Sequence, residues 1–176
     1  GNRLARPSST MARRPTDFKS ANTIEHIATK GLPDDRHIGP DEKSSKITLT
    51  SWVNSIRSYM EERGLDTVFH VYNAQANSET YLLTDWRSAS PDTIEAWVST
   101  LRSGVPDSNG LAGPPCDYDL DNLKWSGKAI LNSVTLSLWE TVEKDLGVDA
   151  SGPEAFAAVV YKLQQVSSAA VRTLVD

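Results

Sequence analysis

The residues best placed for metal chemistry are three alternate aspartates, Asp117, Asp119 and Asp121. Carboxylates at every second position also begin the calcium loop of EF-hand proteins. The rest of that loop does not follow, because Asn122 takes the place of its glycine and Lys128 the place of its final glutamate. We therefore expect a helix cap beside a solvated acidic segment, and no metal site.

Histidine and cysteine add no further pattern for metal binding or catalysis. His26, His37 and His70 are scattered along the chain and form no zinc-ligand spacing. Cys116 is the single cysteine, has no histidine near it in sequence, and is expected to be an ordinary loop thiol. Glycine-rich phosphate loops and the G-x-S-x-G motif do not occur. The sequence therefore predicts a protein that is not an enzyme and has no cofactor.

Basic residues are concentrated at the N-terminus. Within the first twenty residues Asp17 is the only acid, so this segment has a formal charge of +4 and the remainder −9, within a total of −5. A basic arm on an acidic body can contact phosphate or anionic lipid, and the alternative is a solvated tail. The predicted RNA contacts are Arg3, Arg6, Arg13, Arg14 and Lys19.

Glycine, proline and charge divide the chain into two parts. We interpret residues 1–46 as a flexible basic arm, disordered at its start, followed by a linker, and residues 47–176 as a helical domain. No run of 18 apolar residues is present, so we expect no membrane span. A single cysteine excludes an internal disulfide and favours a reducing compartment, so the cytoplasm is the expected location.

Apolar residues recurring every three or four positions predict an all-α fold, a compact bundle of about five to seven helices. The predicted helices cover residues 51–63, 78–87, 91–103, 121–147 and 152–176, with a shorter helix over 21–30 and a helical turn over 66–73. Ser151 and Glu154 match a capping box. The five tryptophans are distributed over these helices and are expected to hold the core together. A long loop over 104–120 is expected to be functional or disordered.

Two blocks of this pattern resemble a known family. The first consists of Trp52, Ile56, Met60, Gly64, Leu65 and Val68, and the second of Trp125, Ala129, Ile130 and Leu138 followed by the helix over 153–174. Together they resemble the capsid-like N-terminal region of the Gag polyprotein of copia-type LTR retrotransposons. The last helix differs from the family, since it carries Val160-Tyr161-Lys162-Leu163 where the family commonly has Trp-x-x-Leu.

The resemblance implies a structural protein whose copies associate weakly into virus-like particles around RNA. It implies that this chain is part of a longer protein, and that RNA is bound mainly by regions outside it. The alternative is a helical protein-interaction adaptor that presents a groove or the proline-rich loop 104–120 to a partner. An enzyme with a spatially assembled site is a third, weaker possibility, which a deep pocket of polar groups with perturbed pKa values would reveal.

Overall fold

A computed structural model describes residues 21–41, 43–147 and 149–175, with side chains described between residues 23 and 164. The helices are α1 (Ala21–Thr29), α2 (Leu49–Arg63), α3 (Leu82–Asp85), α4 (Pro91–Ser103), α5 (Asp117–Leu131), α6 (Leu136–Leu146) and α7 (Gly152–Val175). The strands are β1 (His70–Asn73) and β2 (Ser78–Tyr81). Short 3-10 turns span Asp34–Arg36, Asp66–Phe69 and Trp86–Ser88. The described chain is mostly helical, as predicted.

The all-α prediction is wrong at one place, because β1 and β2 form an antiparallel hairpin. His70 pairs with Tyr81, and Asn73 pairs with Ser78 at the turn. The Asn73 side chain accepts hydrogen bonds from the amides of Gln75 and Ala76, while Asn77 has a φ of 47°. The helical turn predicted over 66–73 is confined to 66–69, and the helix predicted over 78–87 begins only at residue 82.

The helix predicted over 121–147 is two helices, α5 and α6. Between them Val134 forms a parallel bridge with Ile38, and the amide of Thr135 donates to the carbonyl of Ile38 (2.9 Å). The Ser133 hydroxyl donates to the carbonyl of Ala129 and accepts from the amide of Leu32. The bond to Ile38 uses the amide of Thr135, which a continuous helix would need for itself.

The helix ends follow the local sequence closely. Ser90 caps α4 by accepting from the amide of Thr93, and Ser151 exchanges hydrogen bonds with Glu154, as a capping box predicts. Helix α2 begins two residues earlier than predicted, and Thr48 caps it by accepting from the amide of Ser51. Gly64 ends α2 in the left-handed conformation.

The core is built around α7. Phe156 on α7 lies parallel to Trp52 and edge-on to Phe69, with ring centroids 6.1 Å apart in both pairs. Trp52, Trp86, Trp97 and Trp125 are buried, which confirms their predicted core role, whereas Trp139 is only partly buried. Its indole N–H donates to Glu143, within α6.

The N-terminal segment also belongs to this core. Ala28, Leu32 and Ile38 are buried in the same cluster as the helices. The hydroxyl of Tyr59 on α2 accepts from the amide of Gly31 (2.8 Å) and donates to the carbonyls of Ala28 (2.8 Å) and Ile27 (3.2 Å). The linker expected over 31–46 therefore contributes side chains to the core, because its apolar residues meet α5 and α2.

Helices α5 and α7 approach closely because glycine lies on both sides of their contact. A Cβ atom on Gly127 would overlap the carbonyl oxygen of Ala150 and lie 3.1 Å from its carbon. A Cβ atom on Gly152 would overlap the Ser126 hydroxyl and lie 2.9 Å from Phe69. Glycine at these two positions brings the start of α7 directly against α5.

Candidate interaction surfaces

The residues first considered for metal chemistry lie on a helix. Asp117, Asp119 and Asp121 belong to the first turns of α5, and Cys116 immediately precedes it. Alternate residues of a helix project about 200° apart, so these carboxylates do not converge as they do in a calcium loop. Within the part of the chain that the structure describes, no group of three or more histidine, cysteine or acidic residues could hold a metal ion.

The predicted RNA contacts cannot be placed on this fold. Arg3, Arg6, Arg13, Arg14 and Lys19 all lie outside the described residues. Within the described ranges, no helix is long and apolar enough to cross a membrane.

A groove lies between the β-hairpin, α4 and the loop that follows α4. Its volume is about 340 Å³. It is lined by Tyr72, Asn73, Ala74, Gln75, Asp92, Thr93, Ala96, Trp97, Thr100 and Pro106. The hairpin turn therefore forms one wall, α4 a second wall, and Pro106 one end.

Aromatic packing shapes the floor of this groove. Trp97 is only 5% exposed and meets Tyr72 at a steep angle, with ring centroids 6.4 Å apart. The indole nitrogen of Trp97 is buried and makes no hydrogen bond within the described residues. A buried donor without an acceptor costs about 1–3 kcal/mol. At this point the groove is therefore lined by a mostly buried indole ring.

The electrostatic character of the groove is acidic. Asp92, exposed in the first turn of α4, is the one charged residue among those that line it. The other polar lining groups are the hydroxyls of Thr93 and Thr100 and the amides of Asn73 and Gln75. The groove can therefore accept a ligand that is partly apolar and carries a positive charge.

The loop after α4 is ordered by its own hydrogen bonds. The carboxylate of Asp107 accepts from the amides of Asn109 (2.8 Å) and Leu111 (3.0 Å), and Pro106 bridges to Ala112. The loop is shorter than the predicted 104–120, because α5 begins at residue 117. Leu111 at its tip is 69% exposed, so the loop presents an apolar side chain to solvent.

Helix α6 presents a second exposed apolar group. Leu136, its first residue, is 72% exposed, and Trp139 one turn later is only partly buried. Ile27 on α1 and Leu146 at the end of α6 are less exposed. An isolated exposed leucine is ordinary, but one beside a partly buried tryptophan forms a small apolar surface suited to protein contact.

A titratable cluster joins the hairpin to α2. The rings of His70 and Tyr81 are stacked with centroids 4.2 Å apart, and the Tyr81 hydroxyl donates to Glu61 (2.9 Å). Burial and the Glu61 carboxylate raise the pKa of Tyr81. Burial also raises the pKa of Asp66, against the effect of nearby His70. The hydrogen bond to Glu61 fixes the hairpin to α2, so we assign this cluster a structural role.

None of the lining residues of the groove was identified as a site from sequence. The groove assembles segments at residues 72–75, 92–100 and 106, whereas the sequence predicts that residues 72 and 73 belong to a helical turn. Among these segments, the sequence points only to the loop that contains Pro106, because that loop is long and rich in glycine and proline.

Comparison with known proteins yields no relative. No protein-family model, curated protein or solved structure matches this chain. Support for its function therefore lies in its own sequence and structure.

Proposed function

We propose that this chain is a Gag-like capsid subunit of a retroelement, a structural protein without enzymatic activity. Its copies would associate weakly into intracellular, virus-like particles that package RNA in the cytoplasm, with RNA bound mainly by regions outside this chain. Two observations support the proposal. One is the resemblance of residues 48–176 to that family. The other is a mostly helical body with exposed apolar side chains on different elements.

The observation that carries the proposal is the pair of exposed leucines on different elements. Leu136 begins α6, and Leu111 lies at the tip of the loop after α4. Contacts that build rings and shells are head-to-tail, so each subunit needs two different surfaces. These leucines, each with its surroundings, are candidates for the two surfaces.

The size of these surfaces predicts a weak contact. Burying a leucine side chain contributes about 1.5–3 kcal/mol, so two leucines contribute about 3–6 kcal/mol. Association costs an estimated 4–15 kcal/mol in lost translational and rotational freedom. A contact centred on these residues would therefore be marginal alone, as expected for shells whose stability comes from many repeated contacts.

Charge opposes this association. Residues 21–176 carry a formal −9, so neighbouring bodies repel one another at low ionic strength. The Debye length shrinks from about 10 Å at 0.1 M salt to about 3 Å at 1 M salt. We expect a mostly monomeric chain at low salt and micromolar concentration, with larger species as salt and concentration rise.

Sedimentation velocity and light scattering over a salt and concentration series test the proposal. Leu136→Glu should suppress the larger species, whereas Ser137→Glu, which adds the same charge at the adjacent exposed position, should suppress them less. Leu111→Glu and Ser108→Glu form the corresponding pair in the loop. Electron microscopy of the high-salt sample should show rings or closed particles. A chain that stays monomeric under all these conditions would contradict the proposal.

The alternative function, a helical adaptor, is favoured by the groove between the hairpin and α4. An adaptor would bind a peptide or protein in this groove and remain a monomer or dimer at every salt concentration. The same sedimentation experiment therefore distinguishes the two functions, because only a capsid subunit should form larger species as salt and concentration rise.

A further inference from the structure

We infer that the groove between the hairpin and α4 is a binding site for an extended peptide containing an Arg-Pro step, and that its occupant is the basic N-terminal arm of the same molecule. The inference is independent of the proposed function, because a capsid subunit and an adaptor could both contain such a contact.

The walls of the groove suit proline. Tyr72 and Trp97 meet edge to face at its floor, and Pro106 closes one end. Proline-rich segments in the polyproline II conformation bind between aromatic side chains in several recognition domains, because their extended backbone loses little entropy on binding. The wall formed by α4 from Asp92 to Thr100 is about 12 Å long, at 1.5 Å per residue. About four residues of polyproline II helix cover that length.

The charge of the groove suits arginine. Asp92 is the one charged group among its lining residues, and no cation lies in that lining to neutralise it. A guanidinium group can bind a carboxylate through two parallel hydrogen bonds. An Arg-Pro step therefore offers both chemistries in adjacent residues: an apolar ring for the aromatic floor and a cation for Asp92.

The N-terminal arm contains this step twice. Arg6-Pro7 and Arg14-Pro15 occur in a segment with a formal charge of +4. The sequence favours extended backbone at both, since proline restricts its own φ and disfavours the helical conformation of the residue before it. The arm thus complements the groove: its arginines match the carboxylate of Asp92, and its prolines match the aromatic side chains.

The arm is long enough to reach the groove from α1. Twenty residues span up to about 70 Å when extended. A compact body of about 155 residues has a radius of gyration near 15 Å, and hence a diameter of about 40 Å. A tethered segment is present at an effective concentration in the millimolar range, so even a weak site would be occupied.

Paramagnetic broadening in the full-length chain tests the inference. A nitroxide label on Ser8→Cys, in a Cys116→Ser background, should broaden the amide signals of Asn73, Gln75 and Ala96. It should also broaden the indole N–H signal of Trp97 more than that of Trp139, which does not line the groove. Equal broadening of the two indole signals would overturn the inference.

Charge-matched variants separate a specific contact from general attraction. Asp92→Asn should reduce the ratio of docked to free arm by about twofold to fivefold, the range of an exposed ion pair. Asp117→Asn removes the same charge from the first turn of α5, outside the groove, and should leave the ratio unchanged. Equal effects of both variants would mean that the arm is held only by the overall charge of the body.

Arm variants test the proposed recognition step. Replacing both arginines (Arg6→Gln with Arg14→Gln), or both prolines (Pro7→Ala with Pro15→Ala), should reduce the broadening. Arg3→Gln with Arg13→Gln removes the same charge without altering an Arg-Pro step and should reduce it less. A mixture of unlabelled ¹⁵N protein with spin-labelled ¹⁴N protein should show little broadening. Strong broadening in that mixture would assign the groove to the arm of a second copy and overturn the intramolecular arrangement.

Discussion

Replacing Gly127 by alanine is expected to destabilise the protein, although alanine is the better helix former. Gly127 lies within α5, where the carbonyl group of Ala150 passes over it just before α7 begins. The added Cβ would overlap the Ala150 oxygen and lie 3.1 Å from its carbon and 3.2 Å from the carbonyl carbon of Ser151. These are backbone atoms, so the collision cannot be relieved by rotating a side chain.

Two opposing effects set the magnitude. Alanine in a helix interior is favoured over glycine by about 1 kcal/mol. Adding a methyl group to a well-packed site costs typically about 1–3 kcal/mol, and we expect the upper end because backbone must move. The net loss in the free energy of unfolding is therefore about 2 kcal/mol. For a chain of this size that loss lowers Tm by about 4–8 °C.

Urea unfolding and thermal melts of Gly127→Ala and Gly113→Ala measure this effect directly. A Cβ atom on Gly113 meets nothing within 4 Å, and Gly113 does not have a positive φ. Replacing Gly113 by alanine should leave the free energy of unfolding unchanged or raise it by about 0.4–1 kcal/mol, because alanine reduces the conformational entropy of the unfolded chain. A Gly127→Ala variant as stable as the wild type would refute the close approach of α5 and α7.

Four further substitutions test other parts of the structure. Trp52→Ala should cost about 3–5 kcal/mol in thermal or urea unfolding, because this side chain is fully buried, and Trp139→Ala should cost less. Ser151→Ala should cost about 1 kcal/mol by loss of the α7 cap, measured by urea unfolding. Asp66→Asn should be increasingly stabilising relative to wild type as pH rises above 3.8, the ordinary pKa of aspartate. Burial raises the pKa of the Asp66 carboxyl in the folded state. The folded state therefore binds more protons than the unfolded state, and the wild-type protein loses stability as pH rises. A difference between Asp66→Asn and wild type that is constant from pH 3 to 7 would contradict this.

Helices with local capping signals could be predicted from the sequence. Helix α4 has its predicted bounds because Ser90 caps it, Pro91 suits its first turn, and Gly104 follows its end. These signals depend only on neighbouring residues. The same applies to the start of α7 at Ser151.

Features that depend on distant residues could not be predicted in this way. The break after α5 depends on the bridge between Ile38 and Val134, which the periodic apolar pattern of residues 121–147 does not indicate. Strand β2 is short and polar, so β1 had no recognisable partner in the sequence. The groove depends on the second of these features, because one of its walls is the hairpin, which packs against residues of α4 further along the chain. Sequence reasoning therefore identified the loop at one end of the groove and missed its floor.

The hydroxyl of Tyr59 makes the attachment of α1 sensitive to alkali. Its proton is shared between the carbonyls of Ile27 and Ala28, while its oxygen accepts from the amide of Gly31. A phenolate would keep the bond from Gly31 but would place a negative charge against two carbonyl oxygens. Burial raises the pKa of Tyr59 above its ordinary value of 10.0, so the folded state retains this proton after the unfolded chain has begun to lose it. Between the pKa of the unfolded phenol and the raised pKa of folded Tyr59, the protein therefore loses stability as pH rises, and the hydrogen bonds that are lost are those that attach the N-terminal helix to α2.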